Sequence, residues 1–419
     1  MPPPELNIPR PAPLAAVLLI TLVLSIGTGA VTIGLYFVAT QACGFSRTER
    51  FLLGVVIGAS YIPAALAAGP VLKRLAARGR RLTPRTVLLS VVLGSGLVAI
   101  GPPLLAKLGA GEGAVAAGIW LVGAAYGALT GLMWPIVEWF LAGGRKQRAL
   151  RAATGRFNIT WTTAVVLAMW IMAPILGQAA SDPQRALDML IVIAGLHALG
   201  AVACLWLPGT PAAVPVEHHS YGPTPHPAIA STLLAASRRL LPASYVLMAV
   251  LGPYFPGALT DMGVEPSRQT LVVSAWMLAR VAAMVTLERW HGWHNRPAML
   301  IVGAAALLLG FSAAVLAPWT GSLVLVTASL ALFGCGMGIV YTAALYYALE
   351  LEDHGASAGG THEALIGIGY AAGPAIGLAA SIAIDRGGLD ESSFGTTIVG
   401  AAIALTLTGL AVAFAGQRR

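Results

Sequence analysis

The sequence predicts an all-α integral membrane protein of twelve transmembrane helices in two pseudo-symmetric six-helix bundles, and three observations carry that expectation. Of its 419 residues 57% are hydrophobic and 10% charged, with mean hydropathy +0.79, more apolar surface than one soluble core hides. Apolar windows of about 20 residues, the length that crosses roughly 30 Å of hydrocarbon, recur along the whole chain. Spacings in the fourth and fifth windows return in the tenth and eleventh.

The first window, 14 to 40, follows Arg10 as a secretory signal would, but it outruns the apolar length of about 7 to 15 residues that such signals have. It reads as a retained helix. Windows at 49 to 69, 84 to 106, 113 to 141, 157 to 179 and 186 to 207 complete the first bundle, residues 1–207. From 208 to 238 the chain carries Pro208, Pro211, Pro215, Pro223, Pro225 and Pro227 with His218, His219 and His226, a composition that neither spans a membrane nor builds a core. This is the expected linker. Windows at 239 to 260, 269 to 288, 298 to 318, 321 to 349, 362 to 384 and 395 to 416 form the second bundle, residues 239–419.

Lysine and arginine set the orientation. With both termini inside, the inner segments hold 18 of them, in clusters around Lys73 to Arg85 and Arg145 to Arg156, against six in the outer loops. Cytoplasmic termini follow, as in a bacterial inner membrane, and the net charge of +8 is a matter of topology, facing lipid headgroups. No loop is long enough for a basic nucleic-acid-binding module. Cys43, Cys204 and Cys335 have no paired spacing and suit neither a disulfide framework nor a metal site. No phosphate loop for ATP hydrolysis is present, no cofactor motif is found, and His291 and His294 lack acidic or thiol partners for a metal.

The duplication is explicit. Gly127, Gly131, Trp134 and Glu138 share one helical face, and Gly334, Gly338, Tyr341 and Leu345 repeat their spacing. Ala173, Pro174 and Gly177 in the fifth window match Gly373, Pro374 and Gly377 in the eleventh.

On these residues the chain resembles the major facilitator superfamily of secondary transporters. The second Pro-Gly element is similar to that superfamily's G-P-x-x-G signature, and the segment from Gly69 through Arg74 to Gly79 and Arg81 is similar to its G-x-x-x-D-R-x-G-R-R loop. Lys73 replaces the expected acid and Gly79 falls three residues late. The resemblance implies alternating access about a central site, with helices one, four, seven and ten lining it, and assigns gating roles to Gly69, Arg74, Gly79, Pro174, Gly177, Gly373, Pro374 and Gly377.

Arg280 is the most informative residue, because a cation mid-span costs roughly 2.5–3.5 kcal/mol on insertion scales and something must offset it. It is either an anion clamp beside Trp276 or the partner of a helix carboxylate such as Glu138, Glu350 or Glu363. Glu138, Glu363 and His362 are the proton-coupling candidates, against plainer readings: Glu138 paired with Arg145 or Arg148, and Glu363 in a first helical turn capped by Thr361. Tyr36, Tyr126, Trp134, Trp161, Tyr254, Tyr341 and Tyr370 complete the substrate-lining candidates, aromatic residues that elsewhere serve as packing or interfacial belts. The expected function is proton-coupled transport of a small organic solute, an organic anion in one version, by a monomer with no cofactor. A transporter-like sensor without flux and a polytopic enzyme acting on lipid are the rivals.

Overall fold

The computed structural model describes residues 11–77, 82–145, 147–212, 228–351 and 356–415, and these residues form helices and turns without a strand. Twelve long helices result. In the first half they are α1 (Leu14–Cys43), α2 (Arg47–Ala77), α3 (Pro84–Lys107), α4 (Glu112–Ala142), α5 (Gln147–Ala179) and α6 (Asp188–Cys204). In the second they are α7 (Ala228–Asp261), α8 (Pro266–Arg289), α9 (Pro297–Leu316), α10 (Leu323–Leu351), α11 (Ala356–Asp385) and α12 (Phe394–Ala415). Eleven spans, α12 excepted, are long and apolar enough to cross a membrane among the described residues.

Local chemistry sets the ends. Pro84 opens α3 behind Thr83, whose hydroxyl accepts from the Thr86 N–H at 3.2 Å, and Pro266 and Pro297 occupy the same first-turn site in α8 and α9. Gly44 ends α1 in the left-handed region at φ +62°, which turns the chain straight into α2. Several helices are longer than the roughly 30 Å of hydrocarbon: the 34 residues of α7 extend about 51 Å at 1.5 Å per residue. Residues 228–238, expected as the end of the linker, are helix.

The two halves meet along two crossings, α2 with α11 and α5 with α8. The first is built from small residues. A Cβ on Gly58 would lie 2.3 Å from the Ala371 backbone nitrogen, and one on Gly54 2.7 Å from the Pro374 ring, so only glycine lets the helices approach this closely. Two single π-helical turns interrupt α1 and α4, at Ala30–Gly34 and Val122–Tyr126. The turn in α1 carries Thr32 and Ile33, both of which line the central cavity.

Candidate functional site

The repeated glycines hold equivalent helices together at equivalent depths. In the first half, a Cβ on Gly127 would meet the Ile57 carbonyl at 2.8 Å and one on Gly131 the Tyr61 carbonyl at 2.6 Å, so α4 lies against α2 where Tyr61 leaves the backbone. In the second, Gly334 faces the Trp276 carbonyl at 1.8 Å and Gly338 the Arg280 carbonyl at 2.9 Å, which seats α10 on α8 in the same way. Tyr61 and Arg280 are thus counterparts. So are Trp134 and Tyr341, and all four side chains line one cavity between the halves.

Arg280 is fully buried at 0% exposure and has no carboxylate within ion-pair distance among the described residues. Aromatic rings surround it instead. Its guanidinium carbon stands 4.5 Å from the Trp161 ring centre, 4.6 Å from Tyr341 and 5.9 Å from Tyr245. Desolvated contacts of this kind contribute up to about 2 kcal/mol each, enough to offset much of the insertion cost. The polar contacts are long, Nη1 to the Met337 sulfur at 3.7 Å and Nη2 to the Tyr245 hydroxyl at 3.5 Å, and Nε has no partner. Asn158 braces the cage, its Oδ1 accepting from Trp161 Nε1 and from the Tyr341 hydroxyl, each at 3.0 Å. Because Trp161 and Asn158 belong to α5 and Tyr341 to α10, both halves build the cage.

Acids occupy the other part of the cavity. Glu363, 8% exposed, accepts a hydrogen bond from the Tyr61 hydroxyl, and Glu138 lines the same cavity, so α2, α4 and α11 converge there. Carboxylates only accept hydrogen bonds, and a bond between two carboxyl groups needs a shared proton. Tyr370 packs edge-on against Tyr61 at 5.7 Å and Tyr245 at 5.9 Å, linking this cluster to the Arg280 cage. An Arg145 pair for Glu138 and a first-turn place for Glu363 do not hold in this geometry. Arg145 donates to the carbonyls of Phe140, Leu141 and Ala12 rather than to Glu138, and α11 starts at Ala356, which leaves Glu363 two turns past the helix start and its dipole. Arg148 and Glu350 have side chains outside the described residues, as does His362.

Five aromatic candidates, Trp134, Trp161, Tyr341, Tyr370 and, through its helix, Trp276, gather around this site; only Trp276 stays out of the main cavity, walling a smaller adjoining one. Tyr36 lines that smaller cavity too. Tyr126 lies inside the first half, its hydroxyl 3.2 Å from His197 Nε2, and Tyr254 donates to the Val315 carbonyl at 2.7 Å, away from the site. Tyr61, Tyr245, Phe157, Met248, Met277 and Ser25 line the cavity without having been singled out in the sequence. Tyrosines in apolar spans carry no distinguishing sequence signal; the glycine repeat, extended to the helices it contacts, is the one clue to Tyr61.

Among the gating candidates, Gly373 and Gly377 sit at close crossings. A Cβ on Gly373 would lie 2.3 Å from the Val246 carbonyl of α7, and one on Gly377 2.1 Å from the Phe51 ring of α2. Pro374 faces Gly54 across the same interface, whereas Gly177 meets Ser267 of α8 at 3.1 Å and Pro174 is exposed. Gly69 has no neighbour within 4 Å, Arg74 is exposed and Gly79 lies outside the described residues. His291 and His294 pack ring to ring at 5.4 Å, and His294 stacks on Tyr346 at 4.2 Å.

At the face opposite the termini, polar contacts join the halves. Arg47 pairs with Glu391 and covers the Phe394 ring at 4.3 Å, Thr48 donates to Asp385 at 2.7 Å, and buried Arg50 donates from Nε to the Pro253 carbonyl at 3.0 Å. The Arg47 hydrogen bond holds the Glu391 carboxyl below the usual carboxylate range, so this contact forms above that range and is lost only as pH falls through the lowered value. It is constant through neutral and mildly acidic pH. Arg47→Ala is expected to weaken this closure by about 1 kcal/mol, seen as an about fivefold faster reaction of a single cysteine at position 32 with a membrane-impermeant thiol reagent added from that face.

Comparison with known proteins fits this architecture. No family model and no curated protein matches the sequence. Among solved structures, a single-residue mutant of the nucleoside transporter NupG superposes with a TM-score of 0.64 at 14% identity, covering 95% of this chain and 99% of that one. A POT family transporter in complex with 5-aminolevulinic acid gives 0.63 at 15% identity over 96% of each chain. A bacterial homologue of the human lysosomal transporter Spinster, inward-facing and occupied, gives 0.60 at 15% identity over 97% of this chain and 96% of that one. The chain has the major facilitator fold.

Proposed function

We propose that this protein is a secondary transporter that moves a small organic anion across the membrane by alternating access, with a proton carried by the Glu138–Glu363 pair. The observation that carries the reading is Arg280: a fully buried cation, lacking a carboxylate partner among the described residues, faces a cavity built by both halves. A permanent structural ion pair would leave no reason for the cavity. A mobile anion supplies both the missing counter-charge and the use for the space. Likeness in fold to three kinds of transporter supports transport over a lipid-modifying enzyme. The charge asymmetry supports cytoplasmic termini, which puts the Arg47–Glu391 contact on the outer face.

Proton coupling is supported by the two acids that share the cavity, Glu138 from α4 of one half and Glu363 from α11 of the other. With a proton between them the carboxyls hold the halves together, and without it two like charges press them apart. The titratable and charged groups facing the pair are Tyr61 from α2, Tyr245 from α7, Arg280 from α8, Tyr341 from α10 and Tyr370 from α11. Since Glu391 stays ionised at neutral pH, the pH response is assigned to the pair.

Purified protein in liposomes tests this with labelled organic acids. An acidic exterior is expected to accelerate uptake. Glu138→Gln and Glu363→Gln keep the hydrogen-bonding shape but cannot release the proton, so each should lose gradient-driven accumulation while retaining exchange of labelled for unlabelled substrate. Binding with no flux under any gradient would replace transport by sensing, and an unaltered pH response in both variants would remove the pair from coupling.

A further inference from the structure

We infer that the substrate is a monocarboxylate with a flat, apolar body, of the aryl or arylalkyl acid class, and that phosphate esters, dicarboxylates and polyols are rejected. The inference rests on Arg280 as the substrate anchor and adds the chemistry of what it anchors.

Charge sets the first limit. Arg280 is the one cation among the described residues lining the cavity, and Glu138 and Glu363 share the same space. A monoanion balances the guanidinium. A phosphate ester or a dicarboxylate brings a second negative charge that meets no cation and two carboxyl groups instead.

Donor geometry sets the second. Trp161 and Tyr341 lie against the guanidinium at 4.5 and 4.6 Å, which leaves its edges for substrate. Nη1 is turned to the Met337 sulfur, while Nε is free and Nη2 makes only a long contact to Tyr245. The Nε–Nη2 edge presents two parallel N–H groups, the fork that a carboxylate accepts with both oxygens. A phosphoryl group needs donors for a third oxygen, and the helical backbone around the site offers none.

The walls set the third. Trp134, Phe157, Trp161, Met248, Met277 and Ile366 supply flat or deformable apolar surface. Few hydroxyls remain among the serines and threonines: Thr32 is committed to the Thr28 carbonyl at 2.9 Å, whereas Ser25 Oγ and Thr28 Oγ1 have no partner. Two free hydroxyls on α1, three residues apart, suit a solute with one further polar group, not a sugar, whose several other hydroxyls would lose their water unpaired. The adjoining cavity shares Thr32, Ile33, Met248 and Tyr370 with the main one, and its Tyr36, Val273 and Trp276 walls extend the apolar surface for a ring or tail.

Titration calorimetry on the purified full chain tests this with 4-phenylbutyrate, 4-phenylbutyramide, phenyl phosphate, glutarate and glucose. The expected order puts 4-phenylbutyrate tightest, with the amide and the phosphate weaker by roughly tenfold or more and no heat from glutarate or glucose. Arg280→Lys should weaken 4-phenylbutyrate less than Arg280→Met does, since it keeps the charge and loses the fork. Phenyl phosphate or glutarate binding as tightly as 4-phenylbutyrate, dependent on Arg280, overturns the assigned class and leaves anion transport standing. Binding of 4-phenylbutyrate unchanged in Arg280→Met overturns the anchor itself. No binding by any acid in the panel also overturns the inference.

Discussion

Arg280→Met is expected to abolish anion binding while leaving the protein about as stable as its parent. The two effects come from opposite sides of one balance. Removing the cation relieves an insertion cost of roughly 2.5–3.5 kcal/mol and gives up cation–π contacts with Trp161, Tyr341 and Tyr245 that come to a similar total at about 1 kcal/mol each, so melting should shift by no more than about 1 kcal/mol in stability. The bound anion, in contrast, loses a desolvated charge partner. That costs about 2–5 kcal/mol, or at least about 30-fold in affinity. Had Arg280 been one partner of a fixed ion pair, removing it would strand a buried carboxylate and destabilise the fold by about 3–5 kcal/mol. Thermal melting of parent and variant in the same detergent distinguishes the cases by size alone.

Gly334→Ala carries the largest expected cost to the fold. The new methyl would stand 1.8 Å from the Trp276 carbonyl oxygen, a backbone atom that moves only if α8 and α10 separate. Overpacking of this kind costs about 3 kcal/mol, and here it also displaces the backbone that carries Arg280. Gly195→Ala is the matched control, because nothing lies within 4 Å of its Cβ position in α6 and alanine is the better helix former. Melting temperature should fall in the first variant and rise slightly in the second, by the equivalent of about 0.5–1 kcal/mol. Equal behaviour of the two would mean that the glycine repeat does not set the α8–α10 spacing.

The architecture was legible in the sequence because a bilayer constrains it. Window length, basic-residue asymmetry and the Gly127/Gly131 and Gly334/Gly338 repeats are read directly, and the repeats also paired Trp134 with Tyr341, which the structure brings into one cavity. Helix ends were less legible. A hydropathy window reports only the most apolar part of a helix, so the first turns of α7 from Ala228 and of α11 from Ala356 lay outside the windows at 239 and 362. That error misplaced Glu363 in a first turn. Facing was harder still. Tyr126 stands as a lining candidate on aromatic character alone, whereas its hydroxyl meets His197 inside the first half. Tyr61 and Tyr245 act through positions fixed by other helices, and no local pattern marks them.

Counterflow in proteoliposomes tests the central claim, that Arg280 holds a mobile anion, most directly. Vesicles preloaded with unlabelled 4-phenylbutyrate should take up the labelled acid through the parent protein, and through Glu363→Gln, but not through Arg280→Met folded to the same melting temperature. Equal counterflow through parent and Arg280→Met would contradict the account.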